Sequence, residues 1–347
     1  MTVVDDLLAA QAAAGGPLRV DEYLTVVLYG PHGFYTTAGH AGRRGDFITS
    51  AEVGPLFGAV LARWIDAEFV RQGEPADFTV VEVGAGPGTL ARSVLLAAPH
   101  WAGRYVAVEV SAEQRAQHPA GVHSAASIPA APLRGVVIAN ELLDNLPFRL
   151  AVFDGGWREA VVMVADDGTI TERLVVAPAE WSWLPSSASH GARVPVQQAT
   201  GELVRAARTV VLASPGGPGE RTAGNGAVLC IDYCTARTAE LAVRPWREWL
   251  RTYRGHERGT HYLRDPGLQD ITTQVCLDQL PEPMVIGSQA RFLQRWGIDE
   301  LVEEGRAAWA AAAGAPDLAA LRMRSRIREA ESLLDPEGLG GFLAVEW

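Results

Sequence analysis

A glycine-rich segment, VVEVGAGPGTL, places chemistry-bearing residues between an apolar strand and a helix. Glycines stand at positions 84, 86 and 88, and Glu82 lies just before them. Glycine allows positive φ angles and lets a ligand approach the main chain closely. A loop of this kind, after a strand and before a helix, is typical of sites for nucleotide-like ligands. The segment therefore predicts a binding site whose loop residues are Gly84, Gly86 and Gly88.

The spacing of the glycines favours S-adenosylmethionine (SAM) over a nicotinamide dinucleotide. The pattern is G-x-G-x-G, and Thr89 stands where the dinucleotide fingerprint has its third glycine. SAM has no pyrophosphate, but its amino acid moiety carries an ammonium that Glu82 can hold through water. Glu109 follows the second predicted strand, where a carboxylate binds ribose hydroxyls in nucleotide-binding βαβ units. We therefore predict SAM as the cofactor, with Glu82 and Glu109 among its ligands.

Acidic side chains also end the apolar run in VVIANELLDNLPF. Asn140 and Glu141 close the predicted fourth strand, and Asp144 lies three residues further on. Buried carboxylates are costly unless a cation or a hydrogen-bond donor meets them. We predict that Glu141 grips a cationic methyl acceptor, that Asp144 assists it, and that Asn140 contacts the cofactor. The alternative for Asp144 is that it caps or solvates a short helix.

Histidines contribute one candidate catalytic residue and no metal site. His256, in YRGHE, is a candidate proton acceptor once the methylated product forms. The alternative for His256 is a packed or surface histidine. His32, His40 and His261 lack the spacing of metal-binding motifs, so we predict no metal site.

The segments that carry these residues have the sequence pattern of a parallel α/β sheet. The buried-strand patterns FTVVEVG, RYVAVEV, GVVIANE and GAVLCIDY alternate with helix-like segments such as GTLARSVLLAA. The segment FRLAVFDGGWREAVVMVADDGTITERLVV has Asp-Gly signals between apolar runs, which predicts an antiparallel meander. A helix at 317–334 then leads into the closing strand GGFLAVEW.

The composition excludes several classes of protein. The 347 residues are 48% hydrophobic, which is typical of a folded chain. The formal net charge of −11 disfavours nucleic-acid binding, since phosphate requires a positive field. All 30 Lys+Arg residues are arginine, and this excludes pyridoxal-phosphate enzymes and P-loop NTPases, which both need a lysine.

Targeting and redox features predict a cytoplasmic protein. The first residues, MTVVDDLLAAQAAAGG, resemble neither a signal peptide nor a transit peptide. No uncharged apolar run reaches the roughly 20 residues of a membrane span. The three cysteines form no CxxC pair and suit a reducing compartment. The sequence leaves the oligomeric state open, and a homo-oligomer is compatible with it.

Several separated motifs together resemble the MidA-like family of SAM-dependent methyltransferases. These motifs are GFYTT, GRRGDFITSAEVGPLFG, VVEVGAGPGTL, ANELLDNLPF, GAVLCIDY, LRTYRGHE, PGLQDITTQV and SQARFLQRWGI. The resemblance runs from about residue 20 to the C-terminus. The chain departs from the family pattern at Ala51, where proline is usual, and at Cys234, where glycine is usual. The family includes a mitochondrial complex I assembly factor that dimethylates an arginine of a complex I subunit.

The resemblance implies an α/β, Rossmann-like seven-stranded methyltransferase sheet with N-terminal helices and an inserted substrate-side subdomain. It also implies that the GDFITS loop covers the cofactor, with Gly45, Asp46, Thr49 and Ser50 as binding residues. The alternative for this loop is a capping turn before the next helix. The expected segments are N-terminal helices and covering loop (1–52), the SAM-binding half (53–150), the meander with a mobile loop (151–225), and the rest of the sheet with a helical substrate-side insertion (226–347).

Four functions are compatible with these residues to different degrees. The first is a protein arginine methyltransferase, and the second is a SAM-dependent O- or N-methyltransferase of a small molecule. The third is a SAM-binding assembly factor with little turnover. The fourth, a nicotinamide oxidoreductase, is disfavoured by Thr89. The expected partner is a protein or small-molecule methyl acceptor, with no nucleic acid and no membrane.

Overall fold

The chain folds into two compact units in the computed structural model, which describes residues 2–37, 49–130, 132–211, 226–255, 257–312, 314–315 and 317–347. Both units are built from separate stretches of the chain. The first unit comprises Met1–Phe47, Leu143–Val204 and Tyr233–Glu282. The second comprises Ile48–Leu142, Arg205–Asp232 and Pro283–Trp347.

The described residues form twelve α-helices, which are α1 (Val3–Ala14), α2 (Val20–Leu24), α3 (Phe34–Thr37), α4 (Ser50–Val53), α5 (Pro55–Arg71), α6 (Thr89–Ala97), α7 (Ala112–Arg115), α8 (Gln198–Val211), α9 (Thr238–Ala242), α10 (Gln289–Arg295), α11 (Ile298–Ala311) and α12 (Leu318–Leu334). A π-helical stretch, Thr25–Tyr29, continues α2. Among the described residues, no helix has both the length and the apolar composition that a membrane-spanning helix needs.

The same part of the chain forms seventeen strands, which are β1 (Leu18–Arg19), β2 (Thr79–Val83), β3 (Tyr105–Val108), β4 (Val122–Ala125), β5 (Gly135–Asn140), β6 (Arg149–Phe153), β7 (Trp157–Val164), β8 (Ile170–Val176), β9 (Arg193–Val196), β10 (Ala227–Asp232), β11 (Cys234–Thr235), β12 (Leu250–Arg254), β13 (Glu257–Arg258), β14 (Asp270–Thr273), β15 (Val275–Cys276), β16 (Val285–Ser288) and β17 (Leu343–Glu346).

The second unit contains a seven-stranded sheet in the order β16-β17-β10-β5-β2-β3-β4. The five strands from β10 to β4 run parallel, β17 is antiparallel to β10, and β16 is antiparallel to β17. The chain moves from β2 outward to β3 and β4, then returns to pair β5 on the other side of β2. Ligands of open α/β sheets bind at the carboxyl edge beside such a reversal of strand order.

Burial explains the apolar runs in the central strands β2 and β5. Val80, Val136 and Ile138 are completely buried, as expected for parallel strands covered on both faces. Helix α5 buries an apolar face that includes Trp64, and it packs closely against α6. A β-carbon at Gly58 would lie 2.3 Å from the β-carbon of Ser93, so glycine is what permits this close approach.

The first unit is built on antiparallel sheets. Strands β1, β7, β6 and β9 follow one another, and β8 also pairs with β7. A smaller sheet has the order β13-β12-β14, and β11 pairs with β15. The core of this unit combines buried residues of α1 and α2 with Leu150, Val162 and Trp249.

The structure confirms the predicted fold class. The seven-stranded sheet is present, and the predicted meander forms β6, β7 and β8. Helix α5 runs without a break from Pro55 to Arg71, and Gly54 separates it from the short helix α4. The first unit joins the N-terminal helices, the meander and part of the C-terminal segment, a grouping that the contiguous predicted segments did not include. The predicted mobile loop, SPGGPGERTAGNG at 214–226, lies outside the described residues except for Gly226.

Candidate functional site

The glycine loop at the end of β2 depends on three left-handed backbone positions. The φ angles are +71° at Gly84, +53° at Gly86 and +80° at Gly88, and Gly88 is the N-cap residue of α6. Residues with a side chain rarely adopt these angles. A β-carbon at Gly84 would lie 2.7 Å from the Leu142 side chain, and one at Gly88 would lie 2.9 Å from Pro119. The loop conformation therefore requires glycine both for its backbone angles and for the space around it.

Glu109 lies at the end of β3 and fixes the glycine loop. One oxygen of its carboxylate accepts a hydrogen bond from the Gly86 amide at 3.0 Å, and the other accepts from the Ser111 amide at 2.8 Å. The residue is 9% exposed. Glu109 thus stands at the predicted carboxyl edge, but two backbone amides already orient its carboxylate. The structure adds a loop-positioning contact to the predicted role in cofactor binding.

Glu82 is buried within β2, where the Tyr105 hydroxyl donates to its carboxylate at 2.8 Å. Burial raises the pKa of Glu82 to about 8, and the nearby negative charge of Glu109 acts in the same direction. The hydrogen bond from Tyr105 opposes this shift. A positively charged ligand would lower this pKa again, since an opposite charge favours the ionised carboxylate.

Asn140 and Glu141 end β5 with an unusual backbone. Glu141 has a φ of +49°, although it is not glycine. Non-glycine residues in this region carry strain of order 1–3 kcal/mol and occur at functional sites. The Glu141 carboxylate accepts from the Ser50 amide at 2.7 Å and from the Asn140 side-chain nitrogen at 3.3 Å. The strained backbone therefore holds a carboxylate that is oriented by two donors.

The Glu141 carboxyl group also has a raised pKa. Burial raises it to about 8, the negative charge of Asp232 adds to the shift, and the Ser50 amide opposes it. The residue as a whole is only half-buried, so the dense packing around its carboxylate is what produces the shift. A cationic neighbour would stabilise the ionised form of this carboxyl group and lower its pKa.

Asp232 is a site residue that the sequence reasoning missed. It ends β10, next to β5 in the sheet, and is 1% exposed. Its carboxylate accepts a hydrogen bond from the Leu142 amide at 3.1 Å. This bond joins the end of β10 to the residues that follow β5, next to Glu141. The signal was present in GAVLCIDY, because an acid that closes a buried strand is the same pattern that singled out Glu141.

The covering loop is described only at its end. Gly45 and Asp46 lie outside the described residues, whereas Thr49 and Ser50 lie at the start of α4. The Ser50 hydroxyl is buried and donates to the Gln289 side chain at 2.9 Å, while its amide binds Glu141. The described contacts of Ser50 are therefore with protein groups. His256 also lies outside the described residues.

Asp144 belongs to the first unit, in a helical turn formed by Leu143–Asn145. It is 4% exposed. Its neighbour Asn145 donates to the Asp270 carboxylate at 3.1 Å, and the Tyr35 hydroxyl donates to the same oxygen at 2.7 Å. Burial raises the pKa of Tyr35 well above its usual value, and the charges of Asp270 and Asp144 add to that shift. The proposed assistance of Asp144 to Glu141 remains a prediction.

The residues at the carboxyl edge of the second unit fit SAM. Among the described residues, the one atom within 4 Å of a β-carbon built at Gly86 is the side-chain oxygen of Gln114, at 3.3 Å. The side-chain oxygen of Asn140 is buried and has no hydrogen-bond partner among the described residues. Glu82, Glu109 and Glu141 place carboxyl groups at or next to the ends of β2, β3 and β5, and a cationic cofactor would favour the ionised forms of Glu82 and Glu141, whose pKa values are raised in the free protein.

A parallel sheet with a glycine loop and carboxyl groups at its strand ends is the arrangement in which open α/β proteins bind nucleotide-like ligands. Residues 60–293 match the family described as "Putative S-adenosyl-L-methionine-dependent methyltransferase", and the chain belongs to this family. The resemblance drawn from the sequence motifs is thereby confirmed, and family membership makes SAM the cofactor.

Similar proteins include curated relatives and solved structures. The mitochondrial "Protein arginine methyltransferase NDUFAF7 homolog" of Drosophila melanogaster is 44% identical over 89 residues, which are 25% of this chain and 20% of that protein. The chain thus spans only about a fifth of that relative. The NDUFAF7 protein of Danio rerio is 26% identical over 85% of this chain and 77% of its own length.

A solved structure from Burkholderia thailandensis, bound to S-adenosyl-homocysteine, is similar in fold. It has a TM-score of 0.81 and 27% identity, and the superposition covers 99% of this chain and 91% of that one. This similarity extends over both units, each of which therefore has a counterpart in the same solved chain.

Glu109→Ala is expected to weaken binding of S-adenosyl-homocysteine by about 1.5–3 kcal/mol, the size of hydrogen bonds to a charged group. The loss has two sources, since the carboxylate is predicted to bind the ribose hydroxyls and also accepts a hydrogen bond from the Gly86 amide. Calorimetric titration measures it. Glu113→Ala, which removes an exposed glutamate from α7, is the matched control. Parental affinity of Glu109→Ala would show that Glu109 neither binds the cofactor nor shapes the loop that does.

Glu82→Gln is expected to change how stability depends on pH. The pKa of Glu82 is about 8 in the fold against an ordinary value of 4.5, so the folded state keeps a proton that the unfolded chain releases. Stability contributed by this group is therefore lost as the pH rises from about 4.5 to about 8. As the pH rises through this range, the free energy of unfolding of the variant should increase relative to that of the parent by on the order of 1 kcal/mol per pH unit. Urea unfolding measures both proteins, and identical pH slopes would contradict the assignment.

Proposed function

We propose that the protein transfers a methyl group from SAM to an arginine of a polypeptide. The observation that carries this proposal is the Glu141 carboxylate, held at a strained strand end beside the buried Asp232. Two acidic side chains at neighbouring strand ends favour a cationic acceptor. The names of the relatives, which are protein arginine methyltransferases, support the same acceptor class.

The chemistry assigns a definite task to Glu141. SAM supplies an activated methyl group on a sulfonium, and transfer is an in-line displacement in which the acceptor nitrogen attacks the methyl carbon. The residues around it accelerate this step by orientation, with a ceiling of about 7–11 kcal/mol. A guanidinium has no free lone pair because its charge is delocalised. A carboxylate bound to two of its nitrogens draws the positive charge toward them and leaves the third better able to attack.

A pH-dependent rate is expected from this arrangement. Below about pH 8 the Glu141 carboxyl is mostly protonated in the free protein, and a protonated carboxyl holds a guanidinium weakly. We therefore expect kcat/KM for an arginine peptide to rise by about tenfold per pH unit below this value and to level off above it. Initial rates between neutral and alkaline pH measure the profile. A flat profile in the parent, or an unchanged rise in Glu141→Gln, would contradict the role of Glu141.

A second candidate function is methylation of a neutral oxygen or nitrogen in a small molecule. The raised pKa of Glu141 favours it, because a carboxylate of pKa about 8 is a strong general base for such an acceptor. An arginine acceptor needs no base before transfer but has a proton to lose afterwards. The two candidates share their cofactor site and differ only in what Glu141 does.

Isotope-labelled SAM separates the two candidates. The purified protein and labelled SAM are incubated with a cell lysate, and mass spectrometry searches for label in protein arginines and in small molecules. Label in arginine of a defined polypeptide supports the proposal, and label confined to small molecules overturns it in favour of the second candidate. Gly86→Val, which should not bind SAM, serves as the control for background methylation.

A further inference from the structure

The first unit contains a cavity of about 300 Å³ beside the sheet of β12, β13 and β14. The residues that line it include Trp246, Tyr262 and the β12 residues Leu250 and Thr252. The guanidinium groups of Arg247, Arg251 and Arg258 also line it. The residues of the strand-end site, by contrast, belong to the second unit.

The three guanidiniums are held by neutral groups. Arg247 donates to the Thr260 carbonyl at 3.2 Å, Arg251 donates to the Glu248 carbonyl at 2.7 Å, and Arg258 donates to the Arg247 carbonyl. Among the described residues, none of the three forms an ion pair with a carboxylate. Their positive charges are therefore oriented by the main chain and are not neutralised by it.

The surrounding sequence is basic although the whole protein is acidic. Residues 244–264 contain six arginines and two glutamates, whereas the chain carries a net charge of −11. The one acidic side chain that lines the cavity, Glu248, lies 3.4 Å from Arg244 and is neutralised there. A concentration of positive charge on an acidic protein steers negatively charged ligands to one place.

The cavity is also lined by a residue with a buried hydroxyl group, which a ligand could bind. Thr252 is 3% exposed and lines the cavity, and its hydroxyl oxygen has no hydrogen-bond partner among the described residues. A β-carbon at Gly259 would lie 2.2 Å from this oxygen, so glycine is what leaves room beside it. A buried hydroxyl without a partner is costly, and an acceptor atom of a ligand would satisfy it.

The positive charge of the cavity belongs to the guanidiniums at neutral pH. Burial lowers the pKa of His261, and the charges of Arg193, Arg247 and Arg264 lower it further, while Glu172 opposes them. The imidazole is therefore neutral at pH 7. Arg247 also lies 4.2 Å from the centre of the Trp246 ring, which keeps its guanidinium in place without removing its charge.

We propose that this cavity binds the carboxylates of an acidic polypeptide segment. Guanidiniums bind carboxylates through paired, charge-assisted hydrogen bonds, and the Thr252 hydroxyl supplies a further donor. Trp246 and Leu250 offer apolar contact to the methylene groups of glutamate side chains. Nucleic acid suits the site less, because its long array of phosphates would meet the negative charge of the rest of the protein. That the segment belongs to the methyl acceptor rests on the proposed function.

Direct binding tests the cavity without any methyl transfer. The probes are an oligoglutamate peptide, its oligoglutamine counterpart, inorganic phosphate and oligouridylate, each titrated at low and high salt. The oligoglutamate peptide should bind with an affinity that falls with salt, and the oligoglutamine peptide should not bind. The double variant Arg247→Gln/Arg251→Gln should lose about tenfold or more in affinity, and Thr252→Val should lose less.

The matched control is Arg324→Gln. Arg324 is an exposed arginine that lies 4.8 Å from the Trp309 ring centre, so it shares the cation–ring contact of Arg247 but is outside the cavity. Its variant should bind oligoglutamate like the parent. No binding of oligoglutamate, equal binding by the double variant, or tighter binding of phosphate or oligouridylate would each overturn the proposal.

Methylation kinetics test the link to the acceptor separately. With an arginine peptide that carries a run of glutamates, the double variant should raise KM by about tenfold and leave kcat unchanged. If oligoglutamate binds but the double variant has the parental KM for this peptide, the cavity is a carboxylate site that does not bind the methyl acceptor. Failure of the arginine proposal itself would leave the binding result standing, since that titration contains no SAM.

Discussion

Gly86→Val is expected to abolish binding of S-adenosyl-homocysteine while leaving the protein folded. Gly86 has a φ of +53°, a region in which a β-branched residue is a severe outlier. Valine must therefore move the backbone of the loop, and its side chain would occupy space between the loop and Gln114. Movement also breaks the hydrogen bond from the Gly86 amide to Glu109. Together these effects should cost about 3 kcal/mol or more, which is at least about a hundredfold in affinity.

A matched substitution distinguishes the effect of backbone strain on stability from a specific loss of cofactor binding. Gly73 has a φ of +80°, and a β-carbon there would meet no atom within 4 Å. Gly73→Val thus introduces comparable backbone strain outside the glycine loop, and it should lower stability without weakening the ligand's affinity. Calorimetry and thermal unfolding measure both variants. If Gly86→Val binds S-adenosyl-homocysteine like the parent, the G-x-G-x-G segment is a tight turn and not the cofactor loop.

The same variant distinguishes an enzyme from a scaffold. A folded protein that cannot bind SAM should fail to restore a strain lacking the protein if methyl transfer is its function. Restoration by Gly86→Val would instead favour the SAM-binding assembly factor with little turnover. Circular dichroism and the unfolding midpoint must first show that the variant is folded.

Glu141→Gln is expected to slow methyl transfer by at least about tenfold while leaving affinity for S-adenosyl-homocysteine unchanged. Glutamine keeps the shape of the side chain, and its oxygen can still accept from the Ser50 amide at the position of the present 2.7 Å contact. What it removes is the negative charge that would hold a guanidinium. Loss of one oriented electrostatic group in an active site costs roughly 2–4 kcal/mol of transition-state stabilisation.

The effect should be larger at alkaline pH. The carboxyl of Glu141 has a pKa of about 8, so below this value the parent carries a neutral group that glutamine imitates. Rates of parent and variant should therefore converge at low pH and separate above pH 8. Single-turnover kinetics with an arginine peptide, measured across this range, give the comparison.

Glu329→Gln is the control for Glu141→Gln. Glu329 is also a buried glutamate that accepts from a backbone amide, that of Leu56 at 2.8 Å, but it lies on α12 and not at a strand end. Its variant should keep the parental rate at every pH. Two results would refute the role given to Glu141: collapse of cofactor binding in Glu141→Gln, which would place the residue in the SAM site, and unchanged turnover on the true acceptor, which would make the carboxylate structural.

The sequence by itself determined the class of fold and the cofactor. Strands β2, β3, β5 and β10 are short apolar runs because both faces of a parallel sheet are buried, and that property is visible in the chain alone. The glycine loop was equally readable, since the left-handed angles at Gly84, Gly86 and Gly88 are ones that favour glycine. Local constraints of this kind act on residue type directly, so the residue type reveals them.

Only the tertiary structure decided which acidic residues share the strand-end site. Asp232 lies ninety-one residues after Glu141 in the chain, yet the pairing of β5 with β10 brings the two strand ends together. Asp144 is only three residues after Glu141 but belongs to the first unit, where its charge raises the pKa of Tyr35, and its assistance to Glu141 stays a prediction. Proximity between strand ends depends on strand order, and strand order is set by packing across the whole sheet.

The tertiary structure also decided the electrostatics. The φ of +49° at Glu141 and the raised pKa of its carboxyl arise from atoms contributed by Ser50, Asn140 and Asp232. The basic cavity likewise depends on folding, because residues 244–264 show no clear period in sequence and become a lined cavity only when β12 pairs with β13 and β14. A pKa and an unneutralised charge depend on every group within a few ångströms, and the fold alone selects those groups.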